Sequence, residues 1–282
     1  MADAVADLPP LRETIARHGL DARKRLGQHF LLDLNLTRRI ARVAAPLGEG
    51  TVIEVGPGPG GLTRALLLEG AASVVAIEVD PRAVGAVQEL VPAAAGRLRV
   101  LQADALVIDI ASVGPPPRRI VANLPYNIST PLLLRWLRQA ADVHEMVLMF
   151  QKEVASRLVA QPRSKDFGRL SVIAQHVCAV ETMFDIPAAA FVPPPQVVST
   201  VVRLRPRPAS DRLPDIAPLE RVTAAAFGQR RKMLRTSLAG AFADPAAVLT
   251  RLGLSPTARA EELSTADFAR LAGCLNALRA AP

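Results

Sequence analysis

Cysteine, tyrosine, tryptophan and lysine are all scarce in this chain of 282 residues. Its two cysteines, Cys178 and Cys274, cannot build a disulfide scaffold or a four-cysteine zinc site, and no metal is expected. No apolar run approaches ~20 residues, which excludes a membrane-spanning helix. The stretch Met1 to Pro10 carries Asp3 and Asp7 and has no basic region followed by an apolar one, so no signal peptide is expected. What is present is half hydrophobic and 21% charged, enough to bury a core. At ~150 residues per domain, the length suggests two domains in a soluble, cytosolic protein.

The charge is uneven. There are 34 basic and 26 acidic residues, a net +8, and only Lys24, Lys152, Lys165 and Lys232 are lysine. Residues 1–202 hold 21 basic and 19 acidic side chains, whereas residues 203–282 hold 13 and 7. The excess therefore lies in the last 80 residues. It suits a nucleic-acid partner, although an arginine bias also follows from genome composition. Between Arg205 and Pro214 come three prolines in ten residues with no periodicity, which reads as a domain boundary.

Before that boundary, β-rich runs alternate with helical spacings. Strands are predicted at 51–55, 73–77, 98–101, 119–122 and 143–150, and helices at 35–47, 62–69, 81–90 and 132–140. Asp80-Pro81 and Thr130-Pro131 each read as a cap followed by a proline in the first helical turn. This alternation predicts a parallel α/β sheet with crossover helices. Two closely spaced runs, 180–186 and 197–204, predict an antiparallel hairpin at the sheet edge. Beyond the boundary the pattern is helical, at 219–227, 231–239, 245–252 and 265–278.

The first strand ends in Glu54-Val55-Gly56-Pro57-Gly58-Pro59-Gly60-Gly61. Gly56, Gly58 and Gly61 fit the dinucleotide fingerprint, and Glu78 stands 22 residues beyond Gly56 at the end of the second strand, where an acid accepts both ribose hydroxyls. An adenosine-type cofactor follows. The fingerprint alone does not choose between NAD and S-adenosylmethionine (AdoMet). Asp80 reads as a helix cap. Asp104, at the carboxyl end of the third strand, reads either as an acceptor for an adenine amino group or as a cap of the next turn.

After the fourth strand comes Asn123-Leu124-Pro125-Tyr126. This resembles the Asn/Asp-Pro-Pro-Tyr loop of amino-group methyltransferases. An adenine N6 lone pair is delocalised into the ring and is a poor nucleophile. The Asn123 side-chain oxygen and the Leu124 carbonyl can each accept one N6 hydrogen and hold the nitrogen toward tetrahedral geometry. Pro125 stiffens the loop. Tyr126, the only tyrosine in the chain, offers a face to a base taken out of its stack.

Further motifs stand in order around this loop: Lys24-Arg25-Leu26-Gly27-Gln28-His29-Phe30-Leu31, Gln151-Lys152-Glu153-Val154-Ala155, Gly168-Arg169-Leu170-Ser171-Val172, and Phe191-Val192-Pro193-Pro194-Pro195-Gln196-Val197. Together they resemble the ribosomal RNA adenine dimethyltransferase family, from about Leu11 to Leu278. The match is best to the branch that dimethylates two adjacent adenosines in the 3′-terminal hairpin of bacterial small-subunit ribosomal RNA.

The resemblance implies a Rossmann-like AdoMet-dependent methyltransferase sheet over 1–205, with 1–34 as an N-terminal extension and cofactor-closing motif. A smaller all-α RNA-docking domain would occupy 206–282. It implies that His29, Leu31, Gly56, Gly58, Glu78, Asp104 and Asn123 surround AdoMet, and that Phe191 stacks on the target base opposite Tyr126. His29 stands where the family often has asparagine, so its contact is of side chain or of backbone. The substrate implied is small-subunit ribosomal RNA within an immature particle.

The remaining features read more plainly. Pro193 to Pro195 form a rigid connector. Trp136 and Cys178 pack in the core, and His176 has no metal partners. Arg231, Lys232 and Arg235 read as a basic helix face, either solvated or contacting RNA phosphate, with Met233, Leu234 and Leu238 buried beneath. Arg17, Arg23, Lys24 and Arg25 suggest a second patch. Three other readings stay open: a large-subunit RNA methyltransferase, an NAD-dependent oxidoreductase, and a non-catalytic ribosome-assembly or nucleic-acid-binding factor.

Overall fold

The structure, a computed structural model, describes residues 4–20 and 29–280. Helix α1 (Leu11–Arg17) and the short strand β1 (Phe30–Leu31) come first. An alternation follows: α2 (Leu34–Val43), β2 (Thr51–Val55), α3 (Gly61–Leu68), β3 (Val74–Glu78), α4 (Pro81–Gln88) and β4 (Leu98–Gln102). It continues through β5 (Arg118–Asn123), α5 (Tyr126–Arg138) and β6 (Glu145–Gln151). Helices α6 (Lys152–Val159) and α7 (Arg169–Val177) lead into β7 (Cys178–Ile186), β8 (Phe191–Val192) and β9 (Ser199–Pro206). The chain ends in α8 (Ala217–Gly228), α9 (Leu234–Ser237), α10 (Pro245–Arg251) and α11 (Thr265–Ala280).

Seven strands form one sheet in the order β4-β3-β2-β5-β6-β9-β7. The first five run parallel, and β9 joins β6 antiparallel. Every residue of β2 and β3 is buried, as a parallel sheet covered on both faces requires. At the other edge, Thr200 donates to Asp185 over 2.6 Å and Arg203 pairs with Glu181. These partners run in opposite numerical directions, so β9 and β7 form the antiparallel edge hairpin expected from the sequence. A separate two-stranded ribbon pairs β1 with β8, Leu31 opposite Phe191.

The chain divides into two compact units, Met1–Ala155 with Glu181–Pro206, and Ser156–Val180 with Arg207–Pro282. The second unit therefore takes a segment that the sequence boundary at 205 left in the first. The reason is packing. Phe167, fully buried, meets Phe227 of α8 edge-on at 6.0 Å, and Phe227 stacks on Phe268 of α11 at 5.4 Å. In the same segment Val172 and Ile173 are fully buried, and Leu213 donates its backbone N–H to His176. No change of composition marks such an insertion. Within the first unit α1 is tied down by Arg64, which donates to the Pro9 carbonyl and to Thr14.

Two further expectations are corrected. Pro131 does not open a helix, for it is the sixth residue of α5, which begins at Tyr126. Its missing N–H removes one ladder bond. Burial of Ser129, Leu132, Leu133, Trp136 and Leu137 on one face outweighs that loss. The basic segment is not one helix face either. Residues 229–232 form a turn, and α9 is a single turn starting at Leu234. Leu234 and Leu238 are buried as expected, but Met233 is 41% exposed. Among the described residues, no helix is long and apolar enough to cross a membrane.

Candidate active site

The carboxyl ends of β2, β3, β4 and β5 meet in a cavity of about 260 Å3, all within the first unit. Its lining includes His29, Leu31, Gly56, Gly58, Glu78, Asp104, Asn123, Leu124, Pro125 and Tyr126. Residues from four strand ends and the β1 segment, far apart in the chain, are thus brought together as the motifs implied.

The glycine loop is tight for a reason. Gly58 has φ +55°, and a Cβ there would lie 2.8 Å from the Phe30 ring. A Cβ on Gly61 would lie 2.7 Å from the Leu31 carbonyl oxygen. The absent side chains let β1 close directly over the loop.

Glu78 ends β3 with its Oε1 accepting the backbone N–H groups of Val79 (2.8 Å) and Asp80 (2.9 Å). Its Oε2 takes a longer bond from the Gly58 N–H at 3.4 Å. Burial raises its pKa, while these backbone donors pull it back. The carboxylate is held rigid and retains acceptor capacity toward the cavity. Asp104 accepts from the Leu106 N–H at 2.9 Å, as a cap of the next turn does, and it also lines the cavity. Asp80 caps α4 through Arg82 N–H and does not line the cavity. A glycine cradle with a fixed ribose-type acid and a second carboxylate fits an AdoMet-sized adenosine ligand.

Sequence reasoning missed Glu54. It lies fully buried on β2, lines the cavity, and accepts from Thr63 Oγ1 at 2.6 Å. Burial, with Glu78 adding to it, pushes its pKa up to about 8. The available signal was an acid inside an otherwise apolar buried strand, where an unpaired charge is rarely tolerated.

Asn123, the last residue of β5, donates its Nδ2 to the His29 carbonyl oxygen over 3.0 Å. A carbonyl only accepts, so the amide is fixed with its nitrogen on His29 and its oxygen elsewhere. Tyr126 opens α5, and its hydroxyl meets Ser199 Oγ of β9 at 2.6 Å. Burial raises the phenol pKa, so Tyr126 is a neutral ring and no base.

Phe191 departs from expectation. It is 1% exposed, does not line the cavity, and meets the His29 ring edge-on at 6.5 Å. It belongs to the core and to the β1–β8 ribbon. Cys178 is fully buried and its thiol is pushed up to about 12 by burial, which removes it as a nucleophile.

In the second unit Arg231, Lys232 and Arg235 are all exposed. Arg230 beside them is spent on structure, donating to Glu261 at 2.8 Å and to the Ser164 carbonyl at 3.3 Å. Of the other suggested patch, Arg17 pairs with Glu89 at 2.7 Å, and Arg23, Lys24 and Arg25 lie outside the described residues.

Comparison with known proteins agrees with this geometry. The family described as ribosomal RNA adenine dimethylase matches residues 19–277. The chain is 58% identical to the ribosomal RNA small subunit methyltransferase A of Rhodospirillum rubrum over 270 residues, 96% of this chain and 93% of that one. It is 60% identical to the protein of the same name from Paramagnetospirillum magneticum, over 97% of each. Among solved structures, a dimethyladenosine transferase from Plasmodium falciparum has a TM-score of 0.77 at 26% identity, over 88% of this chain and 98% of that one. The 23S rRNA methyltransferase ErmE has a TM-score of 0.62, also at 26% identity, over 88% and 99%.

Proposed function

The chain belongs to the ribosomal RNA adenine dimethylase family, an AdoMet-dependent one, and from that premise we propose that it dimethylates the N6 amines of two adjacent adenosines in the 3′-terminal hairpin of small-subunit ribosomal RNA. Its relatives at 58% and 60% identity carry the small-subunit name, whereas the large-subunit enzyme is 26% identical. The acceptor is an immature small ribosomal particle, because RNA of this kind is recognised largely by shape.

The observation that carries the catalytic reading is the fixed amide of Asn123. With its nitrogen on the His29 carbonyl, its oxygen is the group left to accept an N6 hydrogen. The Leu124 carbonyl accepts the other, and Tyr126, braced by Ser199, supplies the face on which the flipped base lies. Glu78 takes the ribose hydroxyls of the cofactor and Asp104 its adenine amine. His29, Leu31, Gly56 and Gly58 close around it. Bound AdoMet supplies a methyl made electrophilic by its sulfonium. Asn123 and Leu124 act by position, aiming the nitrogen lone pair before any bond forms. The methylated amine is acidic enough to lose its proton to water, so no side chain is assigned as a base. Arg231, Lys232 and Arg235 dock the RNA by binding its phosphates from the second unit.

The test is incubation with labelled AdoMet and small subunits from cells lacking the modification, followed by digestion of the RNA. The expected product is N6,N6-dimethyladenosine at two neighbouring positions. No label in the small-subunit RNA, or monomethyladenosine alone, would overturn the assignment.

A further inference from the structure

The imidazole of His29 touches both rings that the sequence reading sets around the target base. Its centroid lies 5.5 Å from that of Tyr126, with the planes 31° apart. It lies 6.5 Å from that of Phe191, edge-on at 82°. Its Nδ1 is 2.8 Å from the Pro193 carbonyl oxygen. That oxygen can only accept, so Nδ1 carries the hydrogen. The side chain is thus engaged with the proline connector, and it is the backbone carbonyl of His29 that serves Asn123.

A flat ring beside that of Tyr126, tilted 31° to it and donating one N–H to a carbonyl, shares attributes with an adenine. We infer that the His29 imidazole holds the place of the target base until RNA arrives. The incoming adenine takes the position against Tyr126. His29 turns away about its side-chain bonds, the Pro193 carbonyl is released, and Phe191 is uncovered as the opposing ring. This gives the histidine a task that its cofactor-side neighbours do not share. The inference rests on Tyr126 being the platform for the base.

Removing the ring removes a competitor of the base. With AdoMet saturating and unmodified small subunits as acceptor, His29→Ala is expected to lower the acceptor KM at least ~3-fold. His29→Phe keeps a ring at the platform and is expected to hold KM at or above the parent value. A His29→Ala KM that is unchanged or raised, with cofactor affinity intact by calorimetry, overturns the inference. A second readout needs no turnover. In protein with 15N-labelled histidine, the Nδ1–H signal of His29, assigned by its absence from His29→Ala, is expected in the free protein. It should vanish when the acceptor hairpin RNA and S-adenosylhomocysteine are added, and its persistence also overturns the inference. Tyr126→Ala separates the two levels. If it methylates normally, the platform assignment itself fails. If it is impaired while His29→Ala gains nothing, only the place-holder fails.

Discussion

Asn123 and His29 are 94 positions apart in the chain, and a single bond of 3.0 Å from the side chain of one to the backbone of the other joins two motifs. It fixes the direction of the amide, and it anchors the segment that closes over the glycine loop. Hydrogen bonding here sets direction more than stability.

Asn123→Ala is expected to lower methyl transfer by ~10²-fold or more, the usual loss for a positioned polar group, with AdoMet affinity within severalfold. Single-turnover kinetics with saturating cofactor measures this. Near-normal transfer would remove Asn123 from its role.

Glu54 sets a pH dependence. The unfolded chain ionises it near 4.5 and the folded chain near 8. Between those values the folded protein holds a proton that the unfolded one has released. Stability should therefore fall as pH rises through that window, and level off above it, with a slope of at most ~1.4 kcal/mol per pH unit. A cationic cofactor favours the ionised acid, so its binding at pH 7 should expel a proton. Calorimetry in two buffers of different ionisation enthalpy reads that proton, and Glu54→Gln should abolish it.

Neutralising Arg231, Lys232 and Arg235 together should weaken RNA binding and reduce the salt slope by about one for each phosphate no longer paired with a cation. AdoMet affinity should be untouched. An unchanged slope would make these side chains ordinary surface.

Phe268→Ala removes a ring from the aromatic stack in the second unit, where that ring is wholly buried. Replacing such a ring costs about 3–5 kcal/mol. Chemical denaturation followed by circular dichroism should show it as a lowered midpoint.

The sheet is legible in the sequence because its strands are short apolar runs punctuated by glycine and proline, and Thr51–Val55 coincides with the expected strand. The cavity is legible because its residues sit at strand ends, where motif spacing is rigid. What is not legible depends on neighbours far along the chain. The Thr130-Pro131 signature is local, but the burial that overrides it is tertiary. The motif around Phe191 says nothing of the His29 ring beside it, so its burial comes only with the structure. Glu54 escapes notice because a lone acid carries no spacing pattern.

The insertion of Ser156–Val180 into the second unit gives the chain an interleaved order of assembly. The strand at the sheet edge, β7, is preceded by a helix whose partners, α8 and α11, are synthesised roughly 40 to 100 residues later. A nascent chain that has completed its sheet still carries Phe167, Val172 and Ile173 without the helices that bury them. Cutting at the proline-rich boundary would strand that apolar surface in the same way. The proline boundary is therefore a poor place to divide the gene, and a free-standing catalytic fragment would need the 156–180 segment excised as well.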